Sequence, residues 1–285
     1  MKKYFQANQK LWDQWTLEHE KSPFYDMAGF KAGRDRLRSI ELSELGEVAG
    51  KSLLHLQCHF GLDTLAWARR GAIATGVDFS ETSIALARSL SRELNIATEF
   101  ICSDIYQLPD RLSGEFDIVF TSYGVLHWLR DLHRWGEIIA HFLKPNGIFY
   151  MVEDHPTFRM FATEEGTKIK LANPYFFSEI PDRVEATGSY ATNNQGEKVS
   201  FYLWNHGMAD VINALINAGL TIEFFHEFPY AARAKFPFME QGSDGWWRLP
   251  AKYPQIPFLF SLRARKAQSI SYRYSTASMS STDEH

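Results

Sequence analysis

The side chain best suited to proton transfer in this sequence is His127. It lies a few residues after an apolar segment, Glu115–Phe120, that is predicted to be a strand. A neutral imidazole accepts a proton near pH 7, so His127 is the candidate general base. A histidine that only caps the following helix is an equally good interpretation, because position is its only support. Glu153, Asp154 and His155, after the next predicted strand, are weaker candidates, and Glu153 and His155 would border the substrate or form part of a lid.

A metal site is a second chemistry to consider, because His55, Cys58 and His59 are close together in the chain. Successive side chains of a strand point to opposite faces, so these three should not converge on one ion. A fourth ligand is not evident in the sequence. We therefore predict no metal.

The elements around these residues predict a nucleoside site. Leu53–Leu56 is apolar enough for a strand buried on both faces, and a turn at Gly61 leads into a helix over 65–70, capped by Asp63 or Thr64. A second strand over 73–77 ends at Asp78. An acid at the end of the second strand of such a βαβ unit is placed to accept hydrogen bonds from ribose hydroxyls.

This stretch resembles the first motif of the class I S-adenosylmethionine (SAM)-dependent methyltransferases, over roughly residues 51–153. The usual motif has an acid and then Gly-x-Gly-x-Gly. Here His55 stands at the acidic position, Gln57 and His59 stand at the first two glycines, and Gly61 alone is retained. The loop is similar to the His-Leu-Gln-Cys-His-Phe-Gly loop of a bacterial subgroup. Most contacts of this loop are made by backbone groups, so the departures need not abolish binding.

The resemblance implies SAM as the cofactor and assigns site residues along the chain. Asp104, after the third predicted strand, would accept from the adenine amino group, although it could simply cap a helix. The turn Leu143–Gly147 (Leu-Lys-Pro-Asn-Gly) also matches the family. The implied cofactor-binding residues are His55, Gln57, Cys58, His59, Gly61, Asp78, Phe79, Ser80, Asp104, Ile105, Ser122 and Tyr123.

The predicted fold is α/β: a Rossmann-like, seven-stranded, mostly parallel sheet with helices on both faces. Residues 1–50 form an N-terminal helical cap or lid, 51–267 the methyltransferase domain, and 268–285 a flexible tail. An insertion at about 154–200, before the last two strands, would line the acceptor pocket. Trp12 and Tyr25 could cover the sulfonium by cation–π contact, whereas core packing is at least as good an interpretation.

Composition narrows the class of partner. The net charge of −4 provides no basic surface for nucleic acid, so none is expected. Only two cysteines occur, which suits a reducing cytoplasm, and we see neither a membrane span nor a signal peptide. The oligomeric state is left open.

We therefore predict a cytoplasmic SAM-dependent methyltransferase that acts on a small molecule, with an acceptor atom that the sequence does not identify. A SAM-binding protein without transferase activity is one alternative, because the first motif is altered. An NAD-linked oxidoreductase is less favoured, since it would want Gly-x-Gly-x-x-Gly in the loop that here reads Gln57–Gly61. Methyl transfer requires a general base only when the acceptor carries a proton, so no catalytic triad is expected.

Overall fold

Seven strands form one central sheet in a computed structural model of the chain, which describes residues 2–162, 169–192 and 197–268. The sheet strands, in chain order, are β1 Ser52–Leu56, β2 Ile73–Asp78, β3 Glu99–Cys102, β4 Phe116–Ser122, β5 Leu143–Asp154, β8 Leu220–Phe228 and β12 Leu259–Lys266. Five shorter strands lie in the insertions: β6 Asp182–Thr187, β7 Lys198–Leu203, β9 Tyr230–Ala231, β10 Glu240–Gln241 and β11 Trp247–Arg248. The α-helices are α1 Lys2–His19, α2 Met27–Lys31, α3 Ser39–Leu45, α4 Leu62–Arg69, α5 Glu81–Glu93, α6 Leu132–Phe142, α7 Pro156–Met160 and α8 Met208–Asn217. Two 3₁₀ helices cover Ile105–Asp110 and Leu126–Trp128.

The order of the strands across the sheet is β3-β2-β1-β4-β5-β12-β8. β3, β2, β1, β4 and β5 run parallel, whereas β12 is antiparallel to both of its neighbours, β5 and β8. The prediction of a seven-stranded, mostly parallel sheet is therefore confirmed. The chain order reverses beside β1, so the crevice beyond the carboxyl ends of β1 and β4 is where a doubly wound sheet binds its ligand.

Helices cover both faces of the sheet because each central strand is apolar on both sides. Leu53 packs with Leu65 of α4 and Ile84 of α5 on one face. Leu54, the next residue, packs on the other face with Trp135 of α6. This alternation builds two separate cores and fixes which side chains of each strand reach its carboxyl end.

The first helix of the βαβ unit begins earlier than the sequence predicted. Gly61, in the left-handed conformation with φ 78°, is the N-cap residue, and neither Asp63 nor Thr64 caps α4. The sequence also predicts a helix over 81–94 capped by Ser80, and this cap is confirmed, because the Ser80 side chain accepts a hydrogen bond from the Ser83 backbone N–H. The loop after β1 thus enters its helix through backbone conformation rather than through a side-chain cap.

The N-terminal helix and the first insertion pack on each other. The antiparallel hairpin of β6 and β7 lies against α1, where Leu11 and Trp15 contact Phe201 and Leu203. Asn8 of α1 donates to the Tyr202 carbonyl at 2.7 Å and accepts from the Tyr202 N–H at 2.9 Å. By contrast, α2 and α3 pack into the core beside α4. The predicted tail, apart from residue 268, lies outside the described residues.

Gly136 sets the distance between α6 and α8, and it gives a test of this packing. A Cβ at this position would lie 2.4 Å from the Ala214 carbonyl oxygen. We expect Gly136→Ala to lower the free energy of unfolding by about 1–2 kcal/mol, because overpacking outweighs the gain in helix propensity. Urea unfolding is the measurement, with the exposed His133→Ala on the same helix as the control. Equal or higher stability of Gly136→Ala would contradict the close approach of these helices.

Candidate active site

The loop after β1 has an unusual backbone conformation. Gln57, His59 and Gly61 have φ angles of 57°, 52° and 78°, so three alternate residues are left-handed. Gln57 and His59 occupy two of the positions that carry glycine in the motif resembled above, and the same backbone is formed here with side chains. A Cβ at Gly61 would lie 2.5 Å from Phe100 Cε1, which explains why glycine is retained there.

Asp78 fastens this loop to the end of β2. Its Oδ2 accepts from the His59 N–H at 2.8 Å, and its Oδ1 accepts from the Ser80 N–H at 2.9 Å. Burial raises the pKa of Asp78 to about 6, against the lowering effect of these backbone donors. The carboxylate is therefore mostly ionised at pH 7 and retains lone pairs for further donors.

The ends of β3 and β4 add polar groups to the same edge. Asp104 accepts from the Tyr106 N–H at 3.1 Å, so it caps the first 3₁₀ helix while it borders the cavity next to Ile105. Ser122 donates to Asp63 Oδ2 at 3.2 Å. Both interpretations of Asp104 are therefore compatible with its position.

Two buried glutamates hold the segment that follows β4. Tyr123 donates to Glu41 Oε2 at 2.8 Å, and burial raises the pKa of Glu41 to about 7. Glu153 accepts from the backbone N–H groups of Gly124, Val125 and Leu126. Glu153 thus anchors the turn that carries His127.

His127 lines the cavity, and burial together with the positive charges of Arg159 and Arg233 lowers its pKa well below the ordinary value. Its imidazole is therefore neutral at pH 7. A Cβ at Gly124 would lie 3.7 Å from both His127 Cε1 and Asp154 Oδ2, so these two side chains border the same point.

Aromatic and histidine rings of the N-terminal segment cover the loop. Trp12 packs edge-on against His59 with centroids 5.0 Å apart, and the Tyr25 ring stacks on His19 at 5.2 Å. His19 Nδ1 is 3.0 Å from His59 Nε2, and Tyr25 shares a hydrogen bond of 2.5 Å with Tyr190 of the insertion. Burial lowers the pKa of His19 to about 3, so this cover is uncharged at its centre.

The three side chains considered as metal ligands have different partners. His55 Nδ1 is 2.8 Å from Thr64 Oγ1, whereas His59 Nδ1 is 3.0 Å from Ser83 Oγ. Cys58 is buried in the core beside α4 and α5. Within residues 2–162, 169–192 and 197–268, no group of three or more His, Cys, Asp or Glu is arranged to hold a metal ion.

One cavity of about 1520 Å³ joins these residues. This volume exceeds the roughly 300–1,000 Å³ of a pocket for one drug-sized ligand, so two molecules can be accommodated. The predicted residues that line it are Trp12, Tyr25, His55, Gln57, Cys58, His59, Gly61, Asp78, Phe79, Asp104, Ile105, Ser122, Tyr123 and His127.

Three predicted residues do not line this cavity. Ser80 caps α5 and donates to Asp13 at 2.6 Å. Glu153 anchors the turn after β4, as described above. His155 caps α7 and lies 2.9 Å from Glu227. These three support the walls of the site.

Sequence reasoning missed Tyr190 and the cationic residues Arg36, Arg159, Arg233 and Lys235, which line the cavity. Asp154, one of the weaker base candidates, lines it too. Arg159 and Tyr190 belong to the insertion that was expected to line an acceptor pocket. Arg233 and Lys235 lie in a second insertion, between β8 and β12. The only signal for them in the sequence was a pair of cations among aromatic residues and prolines.

Comparison with known proteins assigns this architecture. Residues 54–151 match a protein family described as a methyltransferase domain. The ubiquinone biosynthesis O-methyltransferase of Pseudomonas aeruginosa (strain PAO1) is 28% identical over 160 residues, which are 55% of this chain and 65% of that enzyme. That of Saccharophagus degradans is 28% identical over 150 residues, 52% of this chain and 60% of the enzyme. The chain thus spans slightly less than two thirds of these relatives.

Solved structures share the fold. A SAM-dependent methyltransferase from Listeria monocytogenes superimposes with a TM-score of 0.56 at 19% identity, covering 80% of this chain and 96% of that one. The glycopeptide N-methyltransferase MtfA, complexed with SAM, has a TM-score of 0.53 at 14% identity and covers 82% and 88% of the two chains. The fold of this chain is therefore the Rossmann-like fold of SAM-dependent methyltransferases.

The buried Glu41 predicts a pH dependence of stability. The pKa of Glu41 in the folded protein, about 7, lies above the ordinary 4.5. Its contribution to the free energy of unfolding is therefore fully present below pH 4.5 and is lost as the pH rises through 7. We expect Glu41→Gln to gain about 3 kcal/mol of unfolding free energy relative to wild type across that window, at roughly 1.4 kcal/mol per pKa unit. Urea unfolding between about pH 5 and pH 8 measures this, with the exposed Glu240→Gln as control. If the unfolding free energies of wild type and Glu41→Gln changed equally with pH, the raised pKa of Glu41 would be contradicted.

Proposed function

We propose that this protein is a SAM-dependent methyltransferase that transfers a methyl group to a small-molecule acceptor. The observation that carries the proposal is the loop after β1, whose left-handed backbone is fastened to Asp78 beside the cavity. The matching domain over residues 54–151 and the shared fold support it. The named relatives act in ubiquinone biosynthesis and on a glycopeptide, and we assign neither kind of acceptor to this chain.

The residues at the carboxyl edge fit the parts of SAM. The ionised Asp78 would accept from the ribose hydroxyls, and Asp104 from the adenine amino group, with Ile105 against the base. The backbone of Gln57–Gly61 would face the methionyl part, while Ser122 and Tyr123, which line the cavity, would border the reacting end. Bound SAM supplies a methyl group already activated by its sulfonium.

The chain's own contribution to transfer would be alignment and the exclusion of water. Trp12 and Tyr25 would cover the reacting centre. For an acceptor that carries a proton, the neutral His127 would take it up at an imidazole nitrogen, with Asp154 close by. The low pKa of His127 makes it a weak base, so it suits an acceptor that is itself acidic.

Two alternatives are separable by experiment. Calorimetric titration with SAM and with NAD distinguishes the cofactors, and formation of S-adenosylhomocysteine across a metabolite panel distinguishes an enzyme from a binding protein. We expect binding of SAM and turnover with at least one acceptor.

The two cysteines, Cys58 and Cys102, are both free, which supports a reducing, cytoplasmic location as part of this proposal. Among the described residues, no helix is long and apolar enough to cross a membrane.

The role of Asp78 gives a direct test. Replacing one carboxylate oxygen with an amide removes an acceptor for the ribose, at roughly 1.5–3 kcal/mol for a hydrogen bond to a charged group. We expect Asp78→Asn to weaken SAM binding about tenfold or more in calorimetry. The exposed Asp110→Asn is the matched control and should bind as wild type does. Unchanged affinity of a folded Asp78→Asn would refute the ribose assignment.

Closure of the cap gives a second test. Gln9 of α1 donates to the Phe79 carbonyl at 2.7 Å, and Asp13 accepts from Ser80, so a ligand that orders the end of β2 should also order α1. We expect S-adenosylhomocysteine to slow hydrogen exchange across residues 4–30 and across β7. Exchange in α8, on the far face of the sheet, should not change. Protection restricted to the regions of Gly61 and Asp78 would mean that α1 is only a structural helix.

A further inference from the structure

Three cations converge on one end of the cavity, away from the Asp78 end. Arg159 comes from α7, directly after β5, whereas Arg233 and Lys235 follow β9 in the second insertion. The ring of Phe158 contacts two of them: Arg233 Cζ lies 4.6 Å and Lys235 Nζ 5.0 Å from its centroid. Segments far apart in the chain thus bring like charges to the same wall.

Only one of these three cations forms a direct ion pair among the described residues. Among the described residues, Asp154 is the one carboxylate that forms an ion pair with any of the three, accepting from Arg233 at 2.8 Å. Arg159 donates to the side-chain oxygen of Asn205 at 3.3 Å. Within the same residues, Lys235 Nζ has no carboxylate partner and only its ring contact with Phe158.

Two further acids, Asp182 and Glu153, act on the charge of Arg159 without forming an ion pair with it. Glu153 accepts from three backbone N–H groups of the turn after β4. Asp182 accepts from Asn205 at 2.7 Å.

Placing like charges together in a partly buried wall is unfavourable unless an anion joins them. Burial and the nearby Arg233 and Arg159 lower the pKa of Lys235 to about 8, and burial lowers that of Arg159 to about 10. Both side chains are nevertheless charged at pH 7. The planar fork of an arginine matches the two oxygens of a carboxylate or phosphate.

From this arrangement we infer that the methyl acceptor is an anion, whose carboxylate or phosphate is bound by Arg159, Arg233 and Lys235. The inference rests on the proposed function, since it names the acceptor class of the same site. Phe158 and Tyr190, whose ring centroid is 5.4 Å from Arg233 Cζ, provide an apolar wall for the body of this acceptor. His127 and Asp154 then lie between the anion site and the loop after β1, where the reacting atom would be.

Matched pairs of small molecules test the charge requirement without a known acceptor. The protein is first titrated with S-adenosylhomocysteine, which tests the proposed function by itself. The saturated complex is then titrated with benzoate or benzamide, and with phenyl phosphate or phenol, by the fluorescence of the tryptophans that line the cavity. We expect at least one anion to bind about tenfold more tightly than its neutral counterpart, and the better anion identifies the headgroup.

Variants then assign the binding to this wall. Lys235→Met should lower the affinity for the preferred anion about tenfold and leave the affinity for S-adenosylhomocysteine unchanged. Lys252→Met is the control, because Lys252 also lies on an aromatic ring, 5.4 Å from the Tyr253 centroid, but is outside the cavity. Arg159→Gln is a second variant in case Lys235→Met fails to fold.

The outcomes separate the two proposals. Failure to bind S-adenosylhomocysteine overturns the proposed function. Normal binding of it, together with equal or absent binding of each anion and its neutral counterpart, overturns the anionic acceptor alone. A loss of affinity for S-adenosylhomocysteine in Lys235→Met would also overturn it, because the cations would then contact the cofactor's own carboxylate.

Discussion

The hydrogen bond from the His59 N–H to Asp78 is the interaction on which the site depends. It joins the loop after β1 to the end of β2, while the second oxygen of Asp78 holds the start of α5. Breaking it would release a loop with two non-glycine residues in the left-handed region, each of which costs roughly 1–2 kcal/mol. The carboxylate therefore shapes the loop before any ligand arrives, and the lone pairs that remain on it face the cavity edge.

The frame around this loop was predicted from the sequence, whereas the conformation of the loop itself was not. Apolar periodicity was sufficient for the seven strands and for α5, because strands buried on both faces and amphipathic helices leave regular patterns. The cap of α4 was assigned wrongly to Asp63 or Thr64, since the usual side-chain rule was applied where Gly61 turns the backbone instead. The left-handed backbone of the loop at Gly61 therefore determined where α4 begins, rather than a polar side-chain cap.

The contents of the site were harder to predict than its frame. Asp78 and Asp104 follow strands directly, so topology alone brings them to one edge. Arg233 and Lys235 reach the cavity through a long connection between β8 and β12, and no periodic pattern specifies where such a connection folds. The buried Glu41 was missed for a similar reason, because its partner Tyr123 is distant in the chain and a lone glutamate in a helix is normally solvated.

The cavity is divided electrostatically, and this division bears on specificity. The end near β2 and β3 presents the carboxylates of Asp78 and Asp104, which suit the hydroxyl and amino donors of a nucleoside. The end beyond β5 presents Arg159 and Lys235, which repel a cation and attract an anion. On the proposal made above, an anionic acceptor would be disfavoured at the Asp78 end and would bind at the other. Burial lowers the pKa of both His19 and His59, so these two rings over the loop after β1 are neutral and add no charge to either end.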